Sequence, residues 1–411
     1  MNILIVTQYF WPETFIINEL ASQLSKFSHT VTVLTGKPNY PEGKIFQGYR
    51  SSGLQSEKTP GGIQVHRVPL RPRYAGGTKN LALNYLSFLY SGLIRFPRLI
   101  RGQRYDAIIF FAPSPMTSAI TAIPIKYLTK SHLAIWIQDL WPESLAATDH
   151  VSKPIILLFI KQIVRLIYRF ADTLLIQSKA FSQPVSKMAA ADKIVYYPNF
   201  SSANIEKEKM AGAQLPPAIL QTLDENFCLV FSGNLGTAQA LETLLEAAEH
   251  LQDLTNLKIL LVGSGSMSDR IEEKIREKRL RNLILTGRLG VEMMPQLYQH
   301  AEGLLVLLKD EEIFSYTVPS KVQAYLAAAK PILASINGET ARIIDEAGAG
   351  LTSRAEDASG LADSIRKLYH STPEERAAMG RRGHEYFVQH FELESQTRRL
   401  VEILQQRITK E

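Results

Sequence analysis

Two stretches of the 411-residue chain hold residue types suited to gripping a doubly charged anion. FSGNLGTAQALETLLEAA (231–248) reads as a strand, a turn containing Gly233 and Gly236, and a helix. Glycine lets backbone approach a ligand closely, and the first N–H groups of a helix favour negative charge. VPSKVQAYLAAAKPILA (318–334) places Pro319 in the first turn of another helix, with Ser320 and Lys321 at its N-terminus. There the lysine adds a full charge to the helix dipole. Taken singly, each stretch also reads as an ordinary βα turn or a solvated lysine; taken together, they predict a diphosphate site. VGSGS (262–266), with Gly263, lacks the third glycine of a dinucleotide fingerprint and reads as a strand-end turn. No Asp-x-Asp or HExxH occurs. Positive charge and helix ends would therefore have to take the role of a divalent metal, and no metal or cofactor is expected.

The first half offers carboxylates instead. Glu13 and Asn18 lie in and after the first βα loop, and Asp139 and Glu143 lie just past a strand in DLWPES. Glu13 and Asp139 are the candidates for orienting a hydroxyl, against the alternative that Asp139 and Glu143 cap a helix start. Trp141 reads equally as core or as a platform for a sugar ring. The single cysteine, Cys228, sits in FCLVF and reads as buried strand.

These residues need a scaffold, and the chain alternates apolar runs with helical patterns throughout. Strands are predicted at 2–7, 30–36, 63–70, 106–113, 133–139, 173–178 and 193–198. The rhythm restarts at 228–233, 257–265, 282–287, 302–309 and 331–335. Consecutive Ile, Val and Leu mark strands buried on both faces, and β-α alternation predicts parallel sheets covered by helices. The fold class is α/β: two Rossmann-like domains, 1–200 and 201–390, facing each other across a cleft, with a charged amphipathic helix in 391–411. The boundary is expected between Phe200 and Asp224, a stretch without strand pattern that includes Pro216-Pro217.

Charge is unevenly spread. Lys58–Tyr105 holds nine Lys or Arg and no acid, and His150–Ala171 holds four more, again with no acid. The other 33 cations face 40 acidic residues, so the net +6 is concentrated in two segments and implies a local anionic partner. The apolar runs 81–94 and 154–160 are too short to span a bilayer, and Met1–Val6 is not a signal peptide. In 71–105, Leu81, Tyr85, Phe88, Leu89 and Leu93 can form an apolar helical face flanked by Arg71, Arg73 and Lys79 and by Arg95, Arg98, Arg101 and Arg104. Segment 153–170 repeats the pattern. Both suit an interfacial helix on an anionic membrane, or alternatively helices that cover the first sheet. The expected location is the cytoplasm, at the inner face of the cell membrane.

The succession FSGNLGTAQALETLLEAA, LLVGSGS, TGRLGVEMMPQLY and VPSKVQAYLAAAKPILA resembles the retaining GT-B glycosyltransferases of family 4. QYFWPETFIINELA, LTGKPNYPEGKIFQGYR and QDLWPESLAAT resemble a bacterial branch serving capsule, colanic-acid and O-antigen assembly. The resemblance runs from about residue 2 to about 405. It implies metal-free transfer of a sugar, with retention, from a nucleoside diphosphate sugar, usually a UDP-sugar, to a lipid-linked saccharide. The donor would bind the second domain and the acceptor the first, and the C-terminal helix would cross back onto the first. The family's glutamate pair would fall at Tyr316 and Ala324, its donor-loop Arg and Lys at Asn234 and Gln239, and its first-domain histidine near Gln138. WPETFII replaces the glycine-rich first loop. Without a donor-loop cation, Lys321, Arg288 and Lys309 would have to stabilise the leaving diphosphate. Two other functions compete: a nucleotide-sugar 2-epimerase of the same architecture, and nucleic-acid binding through the basic stretch. The latter is disfavoured because its Leu, Phe and Tyr have helical spacing, so no nucleic-acid partner is expected.

Overall fold

A computed structural model describes residues 1–74, 77–147, 153–201 and 214–409. The chain divides into two compact units, Met1–Asn199 with Leu393–Glu411, and Phe200–Glu392. Much of the linker expected after Phe200 lies outside the described residues. Its last part is helical, Pro217–Glu225, with proline at the first turn.

The first unit is built on an eight-stranded sheet. Its strands are β1 (Asn2–Val6), β2 (Thr30–Gly36), β3 (Gln55–Lys58), β4 (Gln64–Val68), β5 (Ala107–Ala112), β6 (His132–Ile137), β7 (Thr173–Ile176) and β8 (Ile194–Tyr196). Their order is β3-β4-β2-β1-β5-β6-β7-β8. All neighbours are parallel except β3, which runs antiparallel to β4. Ile3, Leu4, Ile5 and Val6 are all buried, as a central strand covered on both faces requires. Helix Ile16–Lys26 buries Ile17, Leu20, Ala21 and Leu24, one stripe at helical spacing.

The second unit carries six parallel strands: β9 (Phe227–Ser232), β10 (Leu257–Val262), β11 (Leu283–Gly287), β12 (Gly303–Leu307), β13 (Ile332–Ser335) and β14 (Gly350–Ser353). The order is β11-β10-β9-β12-β13-β14, with one apolar cluster around Val230 and Val306 and another around Leu229 and Leu305. Cys228 is fully buried there, and burial pushes its thiol up to about 12, so it is an inert core residue.

Two strands escaped the sequence pattern. QSEK of β3 is polar and alternates in exposure, and GLTS of β14 is only half-buried. Both are sheet edges, where burial does not impose an apolar run.

Helix Thr78–Leu99 corrects the expected apolar face. Asn84, Phe88 and Phe96 are fully buried, and Leu81, Tyr85, Leu89 and Leu93 lie half-buried beside them. The outward stripe is Leu86, Tyr90 and Ile94. The helix is rotated this way because Asn84 bonds inward, donating to the Arg71 carbonyl at 2.6 Å and accepting from Gln8 Nε2 at 2.8 Å.

Helix Leu393–Ile408 belongs to the first unit. It packs on helix Ile16–Lys26 and on β6, burying Leu393, Leu400 and Leu404. The Arg398 guanidinium lies 4.5 Å from the Phe27 ring centroid, and Arg399 donates to the Tyr196 carbonyl at 3.0 Å. Replacing fully buried Leu400 with Ala should cost about 2–5 kcal/mol. The measurement is the urea midpoint followed by circular dichroism; an unchanged midpoint would mean the helix is dispensable to the first unit.

Candidate active site

At the carboxyl end of the second sheet, the turns after β9 and β10 lock together. Gly233 N–H donates to the Val262 carbonyl at 2.9 Å, and Leu235 N–H to the Ser264 carbonyl at 3.1 Å. Gly233 has φ +139° and Gly263 φ +143°, values that L side chains rarely adopt. A Cβ on Gly263 would overlap the Gly233 carbonyl oxygen. Gly263 is therefore required by the neighbouring turn itself, as expected of a strand-end turn.

Beside these turns lies a cavity of about 360 Å³, lined by Ser232, Gly233, Asn234, Val262, Gly263, Ser264, Arg288, Leu289, Val291 and Met294. One wall is polar backbone and the other apolar side chain, the usual make-up of a small-molecule site. Arg288 Nε donates to Ser264 Oγ, which holds the guanidinium at the cavity wall. Ser232 is fixed from below: its Oγ lies 2.7 Å from Tyr298 Oη and 3.0 Å from Tyr325 Oη.

Lys321, the second residue of helix Ser320–Ala327, reaches this place from the other side. Its Nζ donates to Gln239 Oε1 at 2.8 Å, lies 4.0 Å from the Phe231 ring centroid, and is 3.4 Å from where a Gly233 Cβ would be. The absent glycine side chain thus leaves the ammonium open to the turn. Burial pushes the Lys321 amine down to about 7. An ammonium in that setting is an incomplete charge pair, matched by an anion placed against Gly233.

The other positions singled out from the sequence lie around this core. Gln239 holds Lys321, and Gly236 packs against Asn234. Ser320 is exposed, and Tyr316 Oη donates to Glu312. Lys309 binds through its backbone, donating to the Ala238 carbonyl at 3.1 Å. Helix Leu241–Glu249 does not start at the glycine turn. A 3-10 turn, Thr237–Gln239, and Ala240 at φ 44° intervene, so the anion-favouring helix end is that of Lys321.

In the first unit, Glu13 is a positioning group. It is buried, with Oε1 accepting from Asn39 N–H and Tyr40 N–H, both at 2.8 Å, and Oε2 accepting from Phe10 N–H at 3.2 Å. Both oxygens are thereby spent on fixing the loops after β1 and β2. Burial lifts its carboxyl to about 7 against the pull of those N–H groups. The sequence placed Glu13 against a ligand because it lies in a strand-end loop, and spacing cannot show which way a carboxylate turns.

Asp139, just past β6, is half-buried, and burial lifts it to about 6. No described residue hydrogen-bonds its carboxylate, so it does not act as a helix cap. Glu143 opens helix Glu143–Ala147. Trp141 is 7% exposed and belongs to the core. The structure surrounds Arg73 with residues the sequence did not link to it as a site: Tyr9, Tyr40 and Tyr85, whose rings lie 5.0, 5.1 and 5.6 Å from the guanidinium carbon. Tyr9 and Tyr40 lie in the loops after β1 and β2 and Tyr85 lies within helix Thr78–Leu99, so no spacing links them.

Residues 14–199 match the glycosyl transferase 4-like domain, and residues 217–386 match glycosyl transferases group 1. The chain belongs to the glycosyltransferases. Among named relatives, the transferase is 25% identical over 315 residues to WcaI of Escherichia coli (strain K12), named for colanic acid biosynthesis, covering 75% of this chain and 76% of the relative. It is 24% identical over 297 residues to WbjE of Pseudomonas aeruginosa, named as a glycosyltransferase, covering 71% and 72%. The fold is GT-B. Anabaena Alr3699/HepE, crystallised with UDP, superposes with TM-score 0.70 at 13% identity, over 99% of this chain and 100% of that one. Sucrose-phosphate synthase of Thermosynechococcus elongatus gives 0.72 at 15%, over 100% of both chains.

The transferase carries a stability cost at Lys321 whose sign can be worked out. The folded-state pKa, about 7, lies below the unfolded value of about 10.4. The unfolded chain therefore binds more protons between pH 7 and pH 10, and stability attributable to this residue rises across that window. Lys321→Met should be more stable than the wild type at pH 6, with the gap closing toward pH 10. Thermal midpoints of both proteins across that range check this, and a constant gap would contradict it.

Proposed function

We propose that the transferase moves a sugar from a nucleoside diphosphate sugar, a UDP-sugar, to a saccharide acceptor carried on a lipid, with retention and without a metal ion. The observation that carries this reading is the Lys321 ammonium held against the side-chain-free Gly233 turn. As the glycosidic bond breaks, negative charge grows on the diphosphate. The Lys321 amine, kept protonated by the diphosphate placed against it, and the N–H groups of a helix end stabilise that charge. Arg288 supplies a second cation at the cavity wall. The apolar wall of Leu289, Val291 and Met294 suits a nucleoside base. On the first unit, Asp139 orients the acceptor hydroxyl, and Glu13 holds the loops that shape its site. One relative named for colanic acid biosynthesis, WcaI, another named as a glycosyltransferase, WbjE, and a neighbour crystallised with UDP support this assignment.

The test pairs binding with turnover. UDP should raise the thermal midpoint of the wild type, and Lys321→Ala should lose that shift and lower turnover about a hundredfold, the scale of losing one stabiliser of developing charge. Asp139→Asn should lower turnover and leave the UDP shift intact. Activity should persist in EDTA. A folded Lys321→Ala protein with full turnover, or a strict metal requirement, would overturn the reading.

The acceptor's lipid implies a membrane surface. Among the described residues no helix is long and apolar enough to cross a membrane. Helices Thr78–Leu99 and Pro154–Phe170 both pack against the turn Met116–Thr121 and leave apolar side chains outward, including Tyr90 (69% exposed), Ile155 (76%) and Phe159 (67%). Exposed Arg98, Arg165 and Arg169 accompany them, in stretches with no acid. Apolar side chains with basic neighbours match the headgroup layer of an anionic bilayer, each cation contributing about 1 kcal/mol. Co-sedimentation should require anionic vesicles, weaken with salt, and be lost in a Tyr90→Gln, Ile155→Gln, Phe159→Gln triple variant that still binds UDP. Equal recovery with neutral vesicles would exclude this surface.

A further inference from the structure

We infer that Arg73 and the tyrosines around it form a phosphoryl-binding site, which takes the phosphate or diphosphate group of the acceptor. The inference rests on the transferase reading for its acceptor, but its evidence lies in the first unit alone.

Arg73 was expected to flank a membrane helix. Instead it is half-buried at the carboxyl edge of the first sheet, among residues that follow adjacent strands. Tyr9 follows β1, Tyr40 follows β2, Ser114 follows β5, and Arg73 itself follows β4. Open parallel sheets bind ligands at this edge. The Arg73 segment is pinned from two sides: Tyr74 N–H donates to the Gly43 carbonyl at 2.8 Å, and Asn84 holds the Arg71 carbonyl.

The cluster is rich in hydrogen-bond donors and poor in acceptors. Arg73 Nη2 donates to Tyr9 Oη, and to Tyr85 Oη at 3.3 Å. Tyr9 Oη also accepts from Gln8 Nε2 at 3.2 Å, and Ser114 hydrogen-bonds Tyr85. The phenolic oxygens of Tyr9 and Tyr85 are thus already used as acceptors, and the two hydroxyls also hydrogen-bond each other. Arg73 Nε is buried with no hydrogen-bond partner among the described residues. No described carboxylate pairs with Arg73 either. Glu13 spends both oxygens on backbone N–H groups, and Asp139, near Tyr85, makes no described hydrogen bond.

A guanidinium does not lose its proton in a protein, so burying its Nε–H unpaired is costly. Three ring faces offset part of the cost. What they cannot supply is an acceptor for Nε–H. A phosphoryl group offers several anionic oxygens on one centre, and arginine is the residue matched to it.

The test uses the full chain with saturating UDP, so that the second unit is already occupied, and titrates farnesyl diphosphate, farnesol and inorganic pyrophosphate. The wild type should bind farnesyl diphosphate and bind farnesol at least tenfold more weakly. Arg73→Gln should weaken farnesyl diphosphate binding tenfold or more, and Arg73→Lys should restore part of it. UDP affinity should stay constant in all variants. If Arg73→Gln fails to fold, Tyr85→Phe decides, with a several-fold loss expected. Unchanged farnesyl diphosphate binding in a folded Arg73→Gln or in Tyr85→Phe overturns the inference, as does equal binding of farnesol. Arg73-dependent pyrophosphate binding as tight as that of the prenyl ester supports the anion site but assigns it to a free phosphate. Failure of UDP to bind the wild type would count against the donor reading and leave the Arg73 result standing.

Discussion

The second unit is organised by a place where no side chain fits. The turns after β9 and β10 approach until the Gly233 carbonyl occupies the space a Gly263 side chain would need. That approach aligns Ser232, Asn234, Val262 and Ser264 along one wall. It also leaves Lys321 Nζ facing the space that a Gly233 side chain would have filled. The hydroxyls of Tyr298 and Tyr325 then hold Ser232 at the end of β9. An added methyl group at Gly263 would push the strands apart and displace each of these groups together, because interiors are close-packed and transmit strain.

The first unit solves the corresponding problem with polar side chains in place of bare backbone. Fully buried Arg67 donates to the carbonyls of Gly36 and Trp11 and pairs with Glu57 on edge strand β3. Glu13 gathers three backbone N–H groups from the loops after β1 and β2. Asn84 joins Gln8 and Asn39 to the segment before Arg73. Each buried polar group is tied to loop backbone, so strand-end loops that would otherwise fluctuate are held in one arrangement.

The buried strands were legible because burial on both faces writes a continuous apolar run, as in AIIFFA and HLAIWI. The edges β3 and β14 were not, since partial solvation relaxes that demand. Lys321 and the glycine turns could be read because helix starts and tight turns leave local signatures. The Tyr9, Tyr40, Tyr85 and Arg73 cluster could not, since three separate strand connections supply it and only the strand order brings them together. Helix Thr78–Leu99 shows the limit of periodicity. Its apolar residues surround most of the helix, and a single inward asparagine decided its rotation.

The route of the chain has a consequence for its synthesis. The second unit is one continuous segment, Phe200–Glu392, whereas the first is made of Met1–Asn199 and the final helix. During translation, domains generally fold as their residues emerge, N-terminal first. Here Met1–Asn199 leave the ribosome without the Leu393–Ile408 helix that packs on β6 and helix Ile16–Lys26. Their apolar flank stays uncovered until that helix is made, while Phe200–Glu392 can already complete its own core. A helix made after the whole second unit thus finishes the first unit begun, and a nascent chain stalled short of it would display an unfinished surface to chaperones.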